Sequence, residues 1–378
     1  MGVAKLLAVA AAVLLEQVIA GRSVVAAAEE PHVRSFFYAG GGYADDGTGN
    51  HIFRDQMYVE HLSPVDGATH ETPIVLIHGQ AQSGSNFLNK PDGGRGWASS
   101  FLAEGYEVYI VDQTLRARSA WQPGHNEAAP SMYSAELIQQ RFTAASEYNL
   151  WPQAVNHTQW PGTGVMGDPV FDAFYSSNVQ FIGNATYQQA SMQDAGAALL
   201  ARIDKPAVLI GHSQGGILPI LIADARPDLA KALVLLEPTG PPFREAVFGS
   251  APARVWGLTD VPLTYGPEVS DPETDLVQET RPARDENSVG CVLQAAEDPA
   301  PRQLAHLADI PILIMTGEAS YHMPYDYCTA QYLTQAGCDK TEHIELGSIG
   351  IHGNGHMFFM EENSDDIYDV LSEWIGEL

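Results

Sequence analysis

The sequence predicts an α/β fold: a mostly parallel eight-stranded sheet with helices on both faces and cap insertions. Two observations carry this expectation. Short, branched apolar runs alternate with amphipathic helical patterns, as they do when crossover helices bury strands on both faces. The chain has 378 residues, of which 45% are hydrophobic and 17% charged, so it holds enough apolar area for one large core and too little charge for long-range disorder.

The first twenty residues stand apart from that fold. Lys5 gives a positive start, Leu6 to Leu15 is an apolar run, and Val18-Ile19-Ala20 places small residues at a cleavage site, so residues 1–20 read as a secretory signal peptide. The alternatives are an uncleaved anchor and cleavage after Ala28. The run is shorter than the roughly 20 apolar residues of a membrane span. Ser35 to Tyr38 and Met57 to His61 follow as an expected antiparallel pair, with Asp45 to Asn50 between them as a hairpin turn rather than a calcium loop.

Five buried strands come next: Ile74 to His78, Val108 to Asp112, Ala207 to Gly211, Leu233 to Glu237 and Ile312 to Thr316, with Glu342 to Leu346 as the last. Helical periodicity fits Trp97 to Glu104, Gln188 to Ile203, Gln214 to Ala225, Tyr325 to Gln335 and Asp365 to Ile375. Residues 30–378 therefore read as one domain. Two long segments interrupt the alternation, at about 120–181, rich in aromatics, and at about 241–310, rich in Pro, Asp and Glu. Such segments form lids or binding loops, or a small satellite core under a loop.

Charge limits the partners. With 19 Lys plus Arg against 47 Asp plus Glu, the net charge is −28, which repels nucleic acid and anionic membranes. A small, neutral and largely apolar substrate is expected. Secretion gives the cysteines meaning: Cys291, Cys328 and Cys338 allow one disulfide with one thiol left over, in any of three pairings. A helix running from Cys328 toward Cys338 would hold those two too far apart. Asn156-His-Thr and Asn184-Ala-Thr are candidate glycosylation sites.

The chemistry begins at Gly211-His212-Ser213-Gln214-Gly215, between a strand and a helix. A serine on such a turn needs small neighbours, and the following helix aims N–H groups at the reaction centre, so the Gln214 N–H is a candidate oxyanion donor. His78-Gly79-Gln80-Ala81 ends another strand and offers the Gln80 N–H as the second donor, with His78 bonding locally. After the last strand, His352-Gly353-Asn354-Gly355-His356 supplies the general base, His356 ahead of His352. The two glycines break the helix that a His pair four apart would need to bind zinc, so no metal or other cofactor is expected.

The acid has several candidates. Gly317-Glu318-Ala319-Ser320 carries Ser where a carboxylate is expected, Glu318 comes too early, and Asp326 falls at or inside a helix. Glu237 ends its strand before Pro238 at the carboxyl edge of the sheet, one strand over from Ser213.

These residues resemble the α/β-hydrolase superfamily and, within it, the small esterase 713 type. The resemblance runs from about Met57 to the C-terminus on HGQAQSG, Pro91-Asp92-Gly93, Gly96-Trp97, Asp112-Gln113 with Arg116 and Arg118, GHSQGG, Leu236-Glu237-Pro238 and Gly353-Asn354-Gly355-His356-Met357. It implies Ser213 as nucleophile, His356 as base, Glu237 as acid, and Gln80 and Gln214 as oxyanion donors. The bacterial type has adjacent, mutually bonded cysteines where this chain has Gln80-Ala81, so no preference that depends on them carries over. The expected function is secreted serine hydrolysis of a carboxylic ester or lactone through an acyl-enzyme. Rival readings are a lactonase or polyester depolymerase with the same triad, and a non-catalytic ligand-binding protein on this scaffold.

Overall fold

In the computed structural model, residues 28–122 and 129–378 are described; the expected signal peptide lies outside them. Eight strands form the central sheet: β1 (His32–Ala39), β2 (Met57–Pro64), β3 (Ile74–Ile77), β4 (Val108–Asp112), β5 (Ala207–His212), β6 (Ala230–Leu236), β7 (Ile312–Thr316) and β8 (Thr341–Glu345). Their order is β1-β2-β4-β3-β5-β6-β7-β8. β2 is antiparallel to both neighbours, and the remaining pairs are parallel.

Strands β3 to β7 are buried on both faces, which their uninterrupted Val, Ile and Leu content anticipates. Val75, Ile77 and Leu209 meet α2 (Ala185–Ile203) and α3 (Leu218–Ala225) on one face; Ile74, Leu76 and Ile210 meet α1 (Trp97–Ala103) and α5 (Ser364–Gly376) on the other. The helix α4 (Asp326–Gln335) closes the first of these layers. Asn184 caps α2, its side chain accepting from the Tyr187 N–H at 3.0 Å.

The helix expected from Gln214 starts later. A tight turn spans Ser213–Ile217, and α3 begins only at Leu218, because Pro219 fits a first helical turn but not an interior. Cys291, on a hairpin made by Gln278–Arg281 and Cys291–Gln294, is bonded to Cys328 on α4, with their Cα atoms 5.3 Å apart; Cys338 is buried and free. At the turn from Asp45 to Asn50 the Asp46 carboxylate accepts from the Thr48 and Asn50 N–H groups, which closes a hairpin.

Register places the functional edge. His212 at the end of β5 lies beside Leu236 of β6, and Leu236 beside Met315 of β7. Ser213, Glu237 and the Thr316–Gly317 turn therefore leave the sheet at one level, at its carboxyl edge. The segments before β5 and before β7 rise over that edge. Phe142, Trp160, Phe171 and Phe174 of the first join the main core, whereas Trp151 seeds a satellite cluster with Ala145 and Ala154.

Candidate active site

Ser213 sits on a strained turn, its backbone at φ 58°. A non-glycine residue in this region costs about 1–3 kcal/mol, which the packing around it must hold in place. The neighbours leave no alternative: a Cβ at Gly211 would lie 2.2 Å from the Gly215 carbonyl oxygen, and one at Gly215 2.2 Å from the His78 carbonyl oxygen. The turn thus lifts the Ser213 hydroxyl off the sheet edge.

His356 arrives from the loop after β8. Its Nε2 lies 2.9 Å from the Ser213 Oγ and its Nδ1 2.5 Å from Glu237 Oε2. Three of the residues named from sequence are brought together in order. Glu237 follows β6 directly with φ 48°, is fully buried, and accepts from the Gly317 N–H and the Ser320 hydroxyl, both at 2.7 Å. Ser320, standing where a carboxylate was expected, instead holds the carboxylate of the neighbouring strand.

Burial pushes the Glu237 carboxyl well above its ordinary value, with Asp326 adding to the rise and Ser320 and Gly317 opposing it. Burial, and then the nearby His212 and His322, hold His356 well below the usual imidazole range. Both shifts favour a neutral pair, whereas the three donors on Glu237 favour its ionised form. The hydrogen bonds decide the acid, because a buried carboxylate with each oxygen bonded is solvated by them. His356 is then neutral, and its Nε2 is placed to accept from the Ser213 hydroxyl.

The other sequence candidates fall outside this constellation. His352 is exposed and bonds Glu318 Oε1 at 3.1 Å, while Glu318 Oε2 accepts from the Gly353 N–H at 2.9 Å, so both brace the loop rather than the serine. Asp326 is the first residue of α4 and binds His322 Nδ1 at 2.9 Å and the Thr316 hydroxyl at 2.8 Å. His78, held near 3 by burial and the Arg116 charge, is neutral; its Nδ1–H donates to the Gly79 carbonyl at 2.8 Å and its Nε2 accepts from the Gln113 N–H.

Gln80, Ser213 and Gln214 line one cavity of about 290 Å³. The Gln80 N–H has no acceptor among the described residues, and the Gln214 N–H opens a helical turn, where no partner within the turn exists. Side chains fix both. Tyr133 OH donates to Gln80 Oε1 at 2.5 Å; buried Arg116 donates to the Gly79 carbonyl at 2.9 Å and to Gln214 Oε1 at 3.4 Å. Glu237, His322 and His356 are close enough to share an ion. Both ring nitrogens of His356 are, however, already bonded, Nδ1 to Glu237 and Nε2 to Ser213, so an ion there would compete with one of those two bonds.

Several supports escaped the sequence reading. His157 Nε2 bonds Glu361 at 2.8 Å, and Glu361 accepts from the Gly355 N–H at 3.1 Å and from Asn354 Nδ2 at 2.9 Å, which fixes the turn that presents His356. His212 Nε2 reaches the His356 carbonyl at 2.9 Å. Tyr321 OH lies 3.3 Å from His356 Nε2. Only the pair Tyr321-His322 directly after Ser320 offered a local signal; the rest are long-range contacts.

A family model described as the alpha/beta hydrolase family matches residues 74–370. The chain belongs to the α/β-hydrolase family. A curated relative, "Probable secreted lipase phiG" from Fungal sp. (strain ATCC 74256), is 46% identical over 343 residues, which is 91% of this chain and 89% of the relative. Among solved structures, "The Atomic Resolution Structure of a Novel Bacterial Esterase" superposes with a TM-score of 0.59 at 22% identity, covering 93% of this α/β-hydrolase and 98% of that chain. At that identity the likeness concerns the fold.

Proposed function

We propose that this protein is a secreted serine hydrolase that cleaves a small carboxylic ester through an acyl-enzyme, with Ser213 as nucleophile, His356 as base and Glu237 as acid. One observation carries the reading: the continuous hydrogen-bonded line from Ser213 Oγ through His356 to Glu237, at 2.9 and 2.5 Å. In the first step His356 Nε2 takes the Ser213 proton as Oγ bonds to the ester carbonyl carbon. Gln80 and Gln214 N–H groups then donate to the oxyanion, each worth roughly 10² to 10³ in rate. The imidazolium returns its proton to the leaving alcohol as the C–O bond breaks. Water, deprotonated by His356, releases the acid and restores Ser213.

Glu237 at the end of β6 is also the ground for assigning the chain to the esterase 713 type. In place of the paired cysteines of the bacterial type, Tyr133 and Arg116 brace the oxyanion loop. Residues 1–20 are proposed as the secretion signal and 30–378 as one catalytic domain with its two insertions, in keeping with the relative named a probable secreted lipase. Asn156 and Asn184, both exposed, are the proposed glycan acceptors; Asn184 caps α2 through Oδ1, which leaves its Nδ2 free to carry a glycan. A hydrolysis screen over aryl esters, lactones and triglycerides tests the reading. Turnover of aryl esters that Ser213→Ala abolishes is expected; turnover confined to lactones would make the protein a lactonase, and none at all would leave a binding protein.

A further inference from the structure

Among the described residues, the cavity over Ser213 contains one cation without a counter-ion. Arg141 lies on the wide turn Gln139–Thr143 of the first insertion and lines the cavity with Phe248 and Tyr321. It is the sole Lys or Arg between Arg118 and Arg202. Among the described residues it has no ion pair and no hydrogen bond; its guanidinium rests on the Phe248 ring, Cζ 3.8 Å from the centroid. Phe248 lies tilted against Tyr321 with ring centroids 5.1 Å apart, and the Tyr321 hydroxyl reaches His356 Nε2 at 3.3 Å, so Arg141 stands two aromatic rings from the reaction centre. The other carboxylate and imidazole groups lining the cavity are engaged: Glu245 with Arg254 at 2.7 Å, His322 with Asp326 at 2.9 Å, and His356 with Glu237 and Ser213.

An Arg in a chain this acidic has carboxylates to choose from, yet this one spends its five N–H donors on none of them. A planar guanidinium facing a cavity is matched by a carboxylate, which it binds with two parallel bonds. Resting on the ester-hydrolase reading above, we propose that the substrate is an ester that carries a second, free carboxylate, and that Arg141 binds this carboxylate while Ser213 attacks the ester. The proposal departs from the expectation of a neutral substrate that the net charge of −28 suggests. That expectation concerns the long-range field, which salt screens within about 8–10 Å; inside the cavity the nearest unpaired charge decides. The Phe248 face beneath the guanidinium holds it in place and leaves its edge for the ligand.

The test uses three carboxylate esters and their methyl esters. Monophenyl glutarate and monophenyl suberate carry the anion on the acyl side at two reaches, and 4-acetoxybenzoate carries it on the leaving group. For at least one pair, kcat/KM is expected to be more than tenfold higher for the carboxylate, the charge-assisted bonds being worth about tenfold to a hundredfold. Arg141→Gln brings that ratio to about one through KM, and Arg141→Lys keeps part of it. A ratio below ten for every pair, or one that survives Arg141→Gln, overturns the proposal; a general disturbance of the site would slow both members of a pair and leave the ratio unchanged. Calorimetry on Ser213→Ala reads the same preference without turnover. If the wild-type protein hydrolyses none of the six esters, the hydrolase reading fails, while tighter binding of a carboxylate that is lost on adding Arg141→Gln still supports Arg141 as the anion site. Equal binding of carboxylates and methyl esters refutes it.

Discussion

Replacing Glu237 by Gln exchanges one oxygen for an NH₂ group and removes one charge, with almost no change in volume. The carboxylate accepts three hydrogen bonds, from the Gly317 N–H, the Ser320 hydroxyl and His356 Nδ1. An amide keeps one acceptor. The Gly317 N–H cannot turn away, so the amide oxygen stays there and the NH₂ group faces His356. His356 Nδ1 then has to accept, its proton moves to Nε2, and the ring presents a donor rather than a base to Ser213. A triad carboxylate-to-amide change of this kind lowers kcat about 10⁴-fold, or about 5.4 kcal/mol at 1.36 kcal/mol per tenfold. Glu318→Gln alters a partly exposed side chain whose hydrogen bonds among the described residues go to His352 and the Gly353 N–H, and should cost less than about threefold. The assay is kcat on an aryl ester for both variants, with circular dichroism to establish equal folding. A Glu237→Gln enzyme within tenfold of wild type, or the reverse ranking of the two variants, would refute the reasoning.

Ser320→Ala removes one charge-assisted bond to the buried Glu237 carboxylate, worth about 1.5–3 kcal/mol, and is expected to lower kcat about tenfold to a hundredfold with little change in KM. His356 must be neutral to act, and burial lowers its pKa, so kcat/KM should persist as pH falls through 6.5 and collapse only below that; His322→Gln, which removes an imidazole that helps to hold the His356 pKa down, should move the acid limb of the pH–rate profile upward. Removing the disulfide between Cys291 and Cys328, 37 residues apart, by a double Ala substitution should reduce the unfolding free energy by about 4 kcal/mol in urea titration.

The strands were legible because burial on both faces leaves a run such as Leu233 to Leu236 no polar position, and a pattern with no gaps is hard to mistake. Ser213 and His356 were legible because each sits at a turn whose glycines have a steric purpose. Glu237 could be read from its place between a strand and Pro238, and the absent carboxylate at Ser320 pointed the same way. What that serine does instead required the register of β6 against β7, which no local pattern encodes. The start of α3 was misplaced by four residues because Gln214 to Ala225 has a continuous apolar pattern, whereas Pro219 controls where regular helix begins. The insertions resisted reading altogether: their aromatics have no period, and His157 meets its partner Glu361 across 204 residues. The disulfide was undecidable for the same reason, since the hairpin carrying Cys291 gives no sign of packing on α4. Arg141 illustrates the limit from the other side, because its isolation in sequence becomes informative only once the cavity beneath it is seen.

The claim on which the rest depends is that Ser213 is an activated nucleophile. Incubation of the folded protein with a fluorophosphonate, followed by peptide mass spectrometry, measures this directly. A single adduct on Ser213, absent from Ser213→Ala and strongly slowed in His356→Ala, is the predicted result; an unlabelled native protein, or labelling that persists in Ser213→Ala, would contradict it.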